Sequence, residues 1–211
     1  TKLTKQFNTP GRKTVTTLTF TPTGTVEVGG KLVLTMPDLG SAVQSGWLFE
    51  SPTVTFTEPS NNEPIAYVEE SNNVLTVTML RNPMERTIRH VLRITGARAP
   101  SMERAADNAT ITTFDKAGLL VDTASVGVDA LAAGALLDGT FSPGIVAPGT
   151  KATLSVGFTP EGRVQSGGTV VLVLPDVSAE AEFGWRFEQP AVTFSLASLD
   201  PARVASSSVP T

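Results

Sequence analysis

The chain has no cysteine, a single histidine, one tyrosine and two tryptophans in 211 residues. Without cysteine there is no disulfide framework, thiolate nucleophile, iron–sulfur cluster or thiolate zinc site. With His90 alone, histidine-based zinc sites and most triad chemistry also fall away. The sequence therefore points away from an enzyme, and no catalytic residue, cofactor or metal is expected. A net charge of −4 and a pI near 5.1 lack the basic footprint of a nucleic-acid or anionic-membrane binder. Apolar runs stop after about six residues, too short for a membrane span. The chain opens on Thr1 with no basic, then apolar leader, which reads as a processed protein or a fragment.

Hydrophobic residues make up 40% and charged residues 17%, with threonine prominent. Disorder needs the opposite balance, so a β-rich globular chain of one large or two modest domains is expected.

Its strongest internal signal is a repeat. Thr21-Pro22, Gly24, Val26, Gly29-Gly30 and Pro37-Asp38 recur 138 residues later as Thr159-Pro160, Gly162, Val164, Gly167-Gly168 and Pro175-Asp176. The same offset maps Gly46-Trp47 onto Gly184-Trp185 and Phe49-Glu50-x-Pro52-x-Val54-Thr55-Phe56 onto Phe187-Glu188-x-Pro190-x-Val192-Thr193-Phe194. From Pro10 to Thr57 against Pro148 to Ser195, 22 of 48 positions are identical without a gap. Such self-similarity marks repeated structural units. One full repeat and part of a second are present.

Strand periodicity runs through both copies. Thr16, Leu18 and Phe20 alternate with outward residues, as do Leu154, Val156 and Phe158. Leu32, Leu34 and Met36 form another inward face, matched by Val170, Leu172 and Leu174. Val54 with Phe56, and Leu75 with Val77 and Met79, follow the same rule. A strand between Met84 and Thr95 would turn Ile88, Leu92 and Ile94 inward and Glu85, Arg89 and Arg93 outward. Asp115-Lys116-Ala117-Gly118 reads as a hairpin turn. Short strands with Pro and Gly punctuation predict an all-β chain of antiparallel Ig-like β-sandwiches. The expected layout is an N-terminal strand at 1–10, a sandwich at 11–123, a linker at 124–148 and a partial second sandwich at 149–211. Within the linker, Asp129 to Leu137 could form a short helix capped by Asp129.

The pattern Phe20-Thr21-Pro22, Gly29-Gly30-x-Leu32-x-Leu34-x-Met36-Pro37 and a Gly-Trp loop resembles the tandem Ig-like repeats of large secreted and cell-surface proteins. That resemblance implies an extracellular structural or adhesive role in extended arrays or fibres.

Each candidate site has a bland reading beside it. His90 reads as a core histidine rather than a ligand. Arg86, Arg89, Arg93, Arg98 and Arg104 could meet an anionic glycan, but such charges usually solvate a sheet and guard its edges. The acidic residues lack the spacing of a calcium loop. Trp47, Phe49 and Phe56, with Trp185, Phe187 and Phe194, are expected in two equivalent cores; an exposed Trp at 47 or 185 would favour carbohydrate binding. Asn108-Ala109-Thr110 is an N-glycosylation sequon, expected on a loop before a strand. Outward threonines such as Thr53, Thr55 and Thr57 could carry O-glycans.

The leading functional expectation is a subunit of an extracellular filament or surface array whose partners are other copies of itself, head to tail. Leu3 and Phe7 alternate with polar residues and correspond at the 138 offset to Phe141 and Ile145. They are expected to form an inter-subunit strand that completes a neighbour's partial domain, a heterologous contact that generates a filament. The alternative is a carbohydrate-binding or adhesion module of a larger cell-surface protein.

Overall fold

A computed structural model describes residues 1–37, 46–59, 66–144, 147, 149–164, 166–174, 185 and 187–195. The chain divides into two compact units, Thr1–Gly168 and Thr169–Thr211. Among the described residues, twelve strands lie in the first: β1 (Lys2–Lys5), β2 (Lys13–Phe20), β3 (Lys31–Thr35), β4 (Leu48–Phe49), β5 (Val54–Glu58), β6 (Ala66–Ser71), β7 (Val74–Met79), β8 (His90–Arg98), β9 (Asp107–Phe114), β10 (Leu120–Val128), β11 (Leu136–Pro143) and β12 (Leu154–Pro160). Among the described residues there is no helix, and none that could cross a membrane.

Strands β1 to β10 form two antiparallel five-stranded sheets. One runs β1-β2-β8, with β4 and β5 both pairing the far side of β8; the other runs β10-β9-β3-β7-β6. Their inner faces meet in one core. Thr16, Leu18 and Phe20 of β2 and Leu92 and Ile94 of β8 face Leu32, Leu34, Leu75, Val77 and Ile111 of the other sheet, all buried. Period-2 alternation of apolar with threonine-rich outward positions produces this layering directly. Strands β1, β2, β8 and β5 stand as A, B, E and D of an Ig-like sandwich, and β3, β9 and β10 as C, F and G. The β6–β7 hairpin is an addition to the C edge, inserted between D and E.

Several expectations are corrected. The strand expected from Met84 begins only at His90. Met84 pairs Val26 in an isolated bridge, then Thr87 at φ 63 turns the chain. Ile88 falls in that turn and is exposed rather than inward. The turn at Asp115 to Gly118 does join β9 to β10, with Gly118 at φ 83.

The boundary at 123 is also too early. Strand β10 continues to Val128, and Val126 and Val128 are buried in the sandwich. No helix forms over 129–137. Leu131 exchanges both backbone hydrogen bonds with Arg104, at 2.9 and 3.1 Å, and buries its side chain in the core. Those backbone groups are then unavailable to an i to i−4 ladder. From Leu136 the chain enters β11 instead.

Candidate assembly surface

Strands β11 and β12 form a separate antiparallel pair, and its register repeats that of β1 and β2. In the first pair Leu3 lies opposite Leu18, Thr4 opposite Thr17 and Lys5 opposite Thr16. In the second, Phe141 lies opposite Val156, Ser142 opposite Ser155 and Pro143 opposite Leu154. Every one of these residues is its counterpart plus 138. A register shift of one residue would have turned every side chain to the wrong face, so the geometric agreement is specific.

Surroundings of the two pairs differ. Strand β2 is covered on its far edge by β8, in the register Thr16 opposite Ile94, Leu18 opposite Leu92 and Phe20 opposite His90. Strand β12 has β11 alone among the described residues. Leu18 is fully buried, whereas Val156 is 41% exposed, and Leu136, Leu137 and Phe141 also show large apolar surface. In the second unit Val170, Leu172, Val192 and neighbouring apolar side chains are exposed as well.

The aromatic residues separate by copy. Trp47, Phe49 and Phe56 are 4%, 6% and 3% exposed and belong to the sandwich core. Lys5 Nζ lies 5.1 Å from the Trp47 ring centroid and donates to the Asp129 carbonyl at 2.9 Å. Burial there holds the Lys5 ammonium below its ordinary range, with Asp129 opposing the shift. The core expectation fails for the second copy: Trp185, Phe187 and Phe194 are 51%, 54% and 54% exposed. In the first copy Phe49 and Phe56 sit on β4 and β5, which pair β8; no strand is assigned to Phe187 or Phe194.

Leu3 and Phe7, expected on an inter-subunit strand, lie within their own chain as follows. Strand β1 pairs β2 of its own chain, and Leu3 is buried in its own core. Phe7 is half-buried, with the Arg12 guanidinium 3.4 Å from its ring centroid. The place that residues 1–5 would take in a second copy is already held by β11. Ile145 lies outside the described residues.

The two copies meet at the β1–β2 loop. Arg12 Nη1 donates to Glu161 Oε1 at 2.5 Å, and the Arg163 N–H to the Gly11 carbonyl at 3.4 Å. Gly11, at φ 69, approaches Arg163 so closely that a Cβ would stand 2.6 Å from its carbonyl oxygen, so only glycine fits.

Among the arginines considered for glycan binding, Arg98 and Arg89 pair with carboxylates. Arg98 grips Glu50 through Nε at 2.6 Å and Nη2 at 2.8 Å, and Nη1 donates to the Gly11 carbonyl at 3.0 Å. Arg89 pairs Glu58 at 3.3 Å on the surface. The sequence signal for the Glu50 clamp is the repetition of Glu50 as Glu188 and of Lys13 as Lys151.

His90 is buried, stacks on Phe20 at 5.8 Å between centroids, and its Nε2 lies 3.3 Å from the Glu85 carbonyl. This is a core environment. Asn108 is exposed at the start of β9, opposite Gly127, rather than on a loop. Among the described residues no three His, Asp or Glu side chains are grouped to hold a metal ion.

No known family profile matches the chain, and no curated protein does. Among solved structures it is similar to the group B streptococcus pilus 2b backbone protein, at 16% identity and a TM-score of 0.35, over 59% of this chain and 56% of that one. The chain thus spans little more than half of that protein's length.

Proposed function

We propose that this chain is a non-catalytic structural unit of an extracellular or cell-surface assembly, in which Ig-like units associate with further copies head to tail. The observation that carries the reading is the second strand pair. It reproduces the register of β1 and β2 residue for residue while leaving an apolar face in water. A unit built to the plan of a sandwich, with that face uncovered, gains from association with another unit of the same plan. The joint at Arg12 and Glu161 supports a head-to-tail order, because it links the first turn of one copy to the strand end of the next. The extracellular setting rests on the resemblance to secreted tandem Ig-like repeats, and an N-glycan at Asn108, if attached, would accord with it.

Analytical ultracentrifugation over a hundredfold concentration range, with negative-stain microscopy of the same samples, tests the reading. Elongated oligomers growing with concentration are expected. A compact monomer at every concentration overturns it.

A second reading, a carbohydrate-binding or adhesion module, is favoured by the exposure of Trp185. Against it, Val171 and Val173 are 76% and 82% exposed in the same unit, so Trp185 is one of many uncovered apolar groups rather than a platform set among polar ones. Quenching of tryptophan fluorescence by soluble glycans, lost in Trp185→Ala, would establish this alternative.

A further inference from the structure

We propose that the Arg12–Glu161 pair is the selectivity determinant of the joint between successive units. The β1–β2 loop of one unit takes the turn that follows the second strand of the next, and takes it in its Glu-Gly-Arg form rather than its Thr-Gly-Thr form. The inference deepens the assembly reading and rests on it for its biological setting.

The two copies of this turn differ at two positions in six. Thr21-Pro22-Thr23-Gly24-Thr25-Val26 becomes Thr159-Pro160-Glu161-Gly162-Arg163-Val164. In the first copy the turn is satisfied inside its own unit. Asp122 of β10 accepts the Thr23 and Gly24 N–H groups at 3.2 and 3.3 Å, and the Thr23 hydroxyl as well. In the second copy the turn lies on the preceding unit's loop instead. Glu161 accepts from Arg12, and a Cβ on Gly162 would overlap the Pro10 carbonyl oxygen. Each turn thus uses one carboxylate, but it comes from β10 in the first copy and from the turn itself in the second.

That difference sets the two forms against each other. Glutamate at position 23 would bring a second carboxylate against Asp122, a like-charge contact. Threonine at position 161 would remove the anion held by the Arg12 guanidinium, which stacks on Phe7. Gly134 closes another side of the contact, since a Cβ there would stand 2.5 Å from Glu161 Oε2 and from Thr9 Cγ2. Close backbone on these sides holds the carboxylate in one geometry, so that a partly exposed pair discriminates between turns as well as attracting one. The loop's backbone recurs in the second copy, with Gly149 at φ 70 against Gly11 at φ 69, while Arg12 becomes Thr150. Shape is common to both loops and charge is not.

The test uses the intact 211-residue chain, diluted until it is monomeric. Hydrogen exchange at the Arg163 amide, bonded to the Gly11 carbonyl, reports the joint; the Leu131 amide, bonded to Arg104, reports that the sandwich remains folded. Glu161→Thr and Arg12→Thr should each speed exchange at Arg163 by about threefold or more, and the two together little further. Arg12→Glu combined with Glu161→Arg should exchange more slowly than Arg12→Glu alone. Where a variant also quickens Leu131, about 1 M salt on the unmodified chain makes the same comparison by screening the pair, and should quicken Arg163 alone. Exchange at Arg163 unchanged by Glu161→Thr or by salt, single effects that simply add, or no rescue by the reversed pair overturns the selectivity. These outcomes are separate from assembly. Concentrated chains that associate while the pair proves indifferent leave the assembly reading standing without this joint, and a selective joint in chains that never associate does the reverse.

Discussion

Arg98 holds Glu50 by both carboxylate oxygens, and the two residues come from strands that meet only at the end of a sheet, β8 and the segment just after β4. The guanidinium side chain is 11% exposed, and Lys13 adds a second cation at 2.9 Å. Arg98→Lys should destabilise the chain by about 1–2 kcal/mol in urea unfolding, because an ammonium makes one charged hydrogen bond where the planar fork makes two.

The same clamp sets an acid dependence. Hydrogen bonding from Arg98, helped by Lys13, draws the Glu50 carboxyl down to about 2 from an ordinary 4.5. A depressed carboxyl stabilises the fold above its unfolded value, and that stabilisation is lost as pH falls from about 4.5 toward 2. Thermal melts of Glu50→Gln should show a shallower decline than the unmodified chain across this window.

His90 makes an opposing case with the same outcome. Burial lowers its pKa from 6.5, against a smaller upward pull from the Glu85 carbonyl. The unfolded chain takes up a proton more readily, so the contribution of neutral His90 is complete above about pH 6.5 and declines below it. His90→Phe, which retains the ring against Phe20, should flatten the stability profile between pH 6.5 and the acid limb governed by Glu50.

Trp47 and Trp185 provide a matched comparison. Trp47→Ala should cost about 3–5 kcal/mol through lost burial and a cavity. Trp185→Ala should cost about 1 kcal/mol or less, because half its surface is already in water. Equal losses in denaturant titrations would mean that the second copy is packed as the first is.

Asn108 and Thr110 both expose their side chains on β9. Secretion from a eukaryotic host should therefore yield a mass increment removed by an N-glycan amidase and absent in Asn108→Gln. An unchanged mass in that host rejects the sequon as an acceptor.

Strands were legible wherever one face is buried, because alternation alone decides which residues point inward. Leu18, Leu34, Val77 and Leu92 follow this rule and are buried. The reading failed where a single backbone event breaks the period. Thr87 at positive φ removed Ile88 from its strand, and the bridge from Leu131 to Arg104 converted an apparently helical Ala-Leu run into an extended one. Sequence also placed Leu3 and Phe7 on an assembly strand, since alternation shows that a strand forms but not which edge it joins. The Arg98 clamp was hidden because its partners are 48 residues apart, although the duplicated Glu and Lys pointed to a structural charge.

The distance along the chain between β2 and β8 has a consequence for biosynthesis. Strand β1 and β2 are neighbours in sequence and can zip in microseconds, whereas β8 begins about seventy residues after β2 ends. At about 5–20 residues per second, translation leaves that edge of β2 open for roughly 4–14 seconds. During this interval β2 lacks the neighbour that covers this edge in the folded chain.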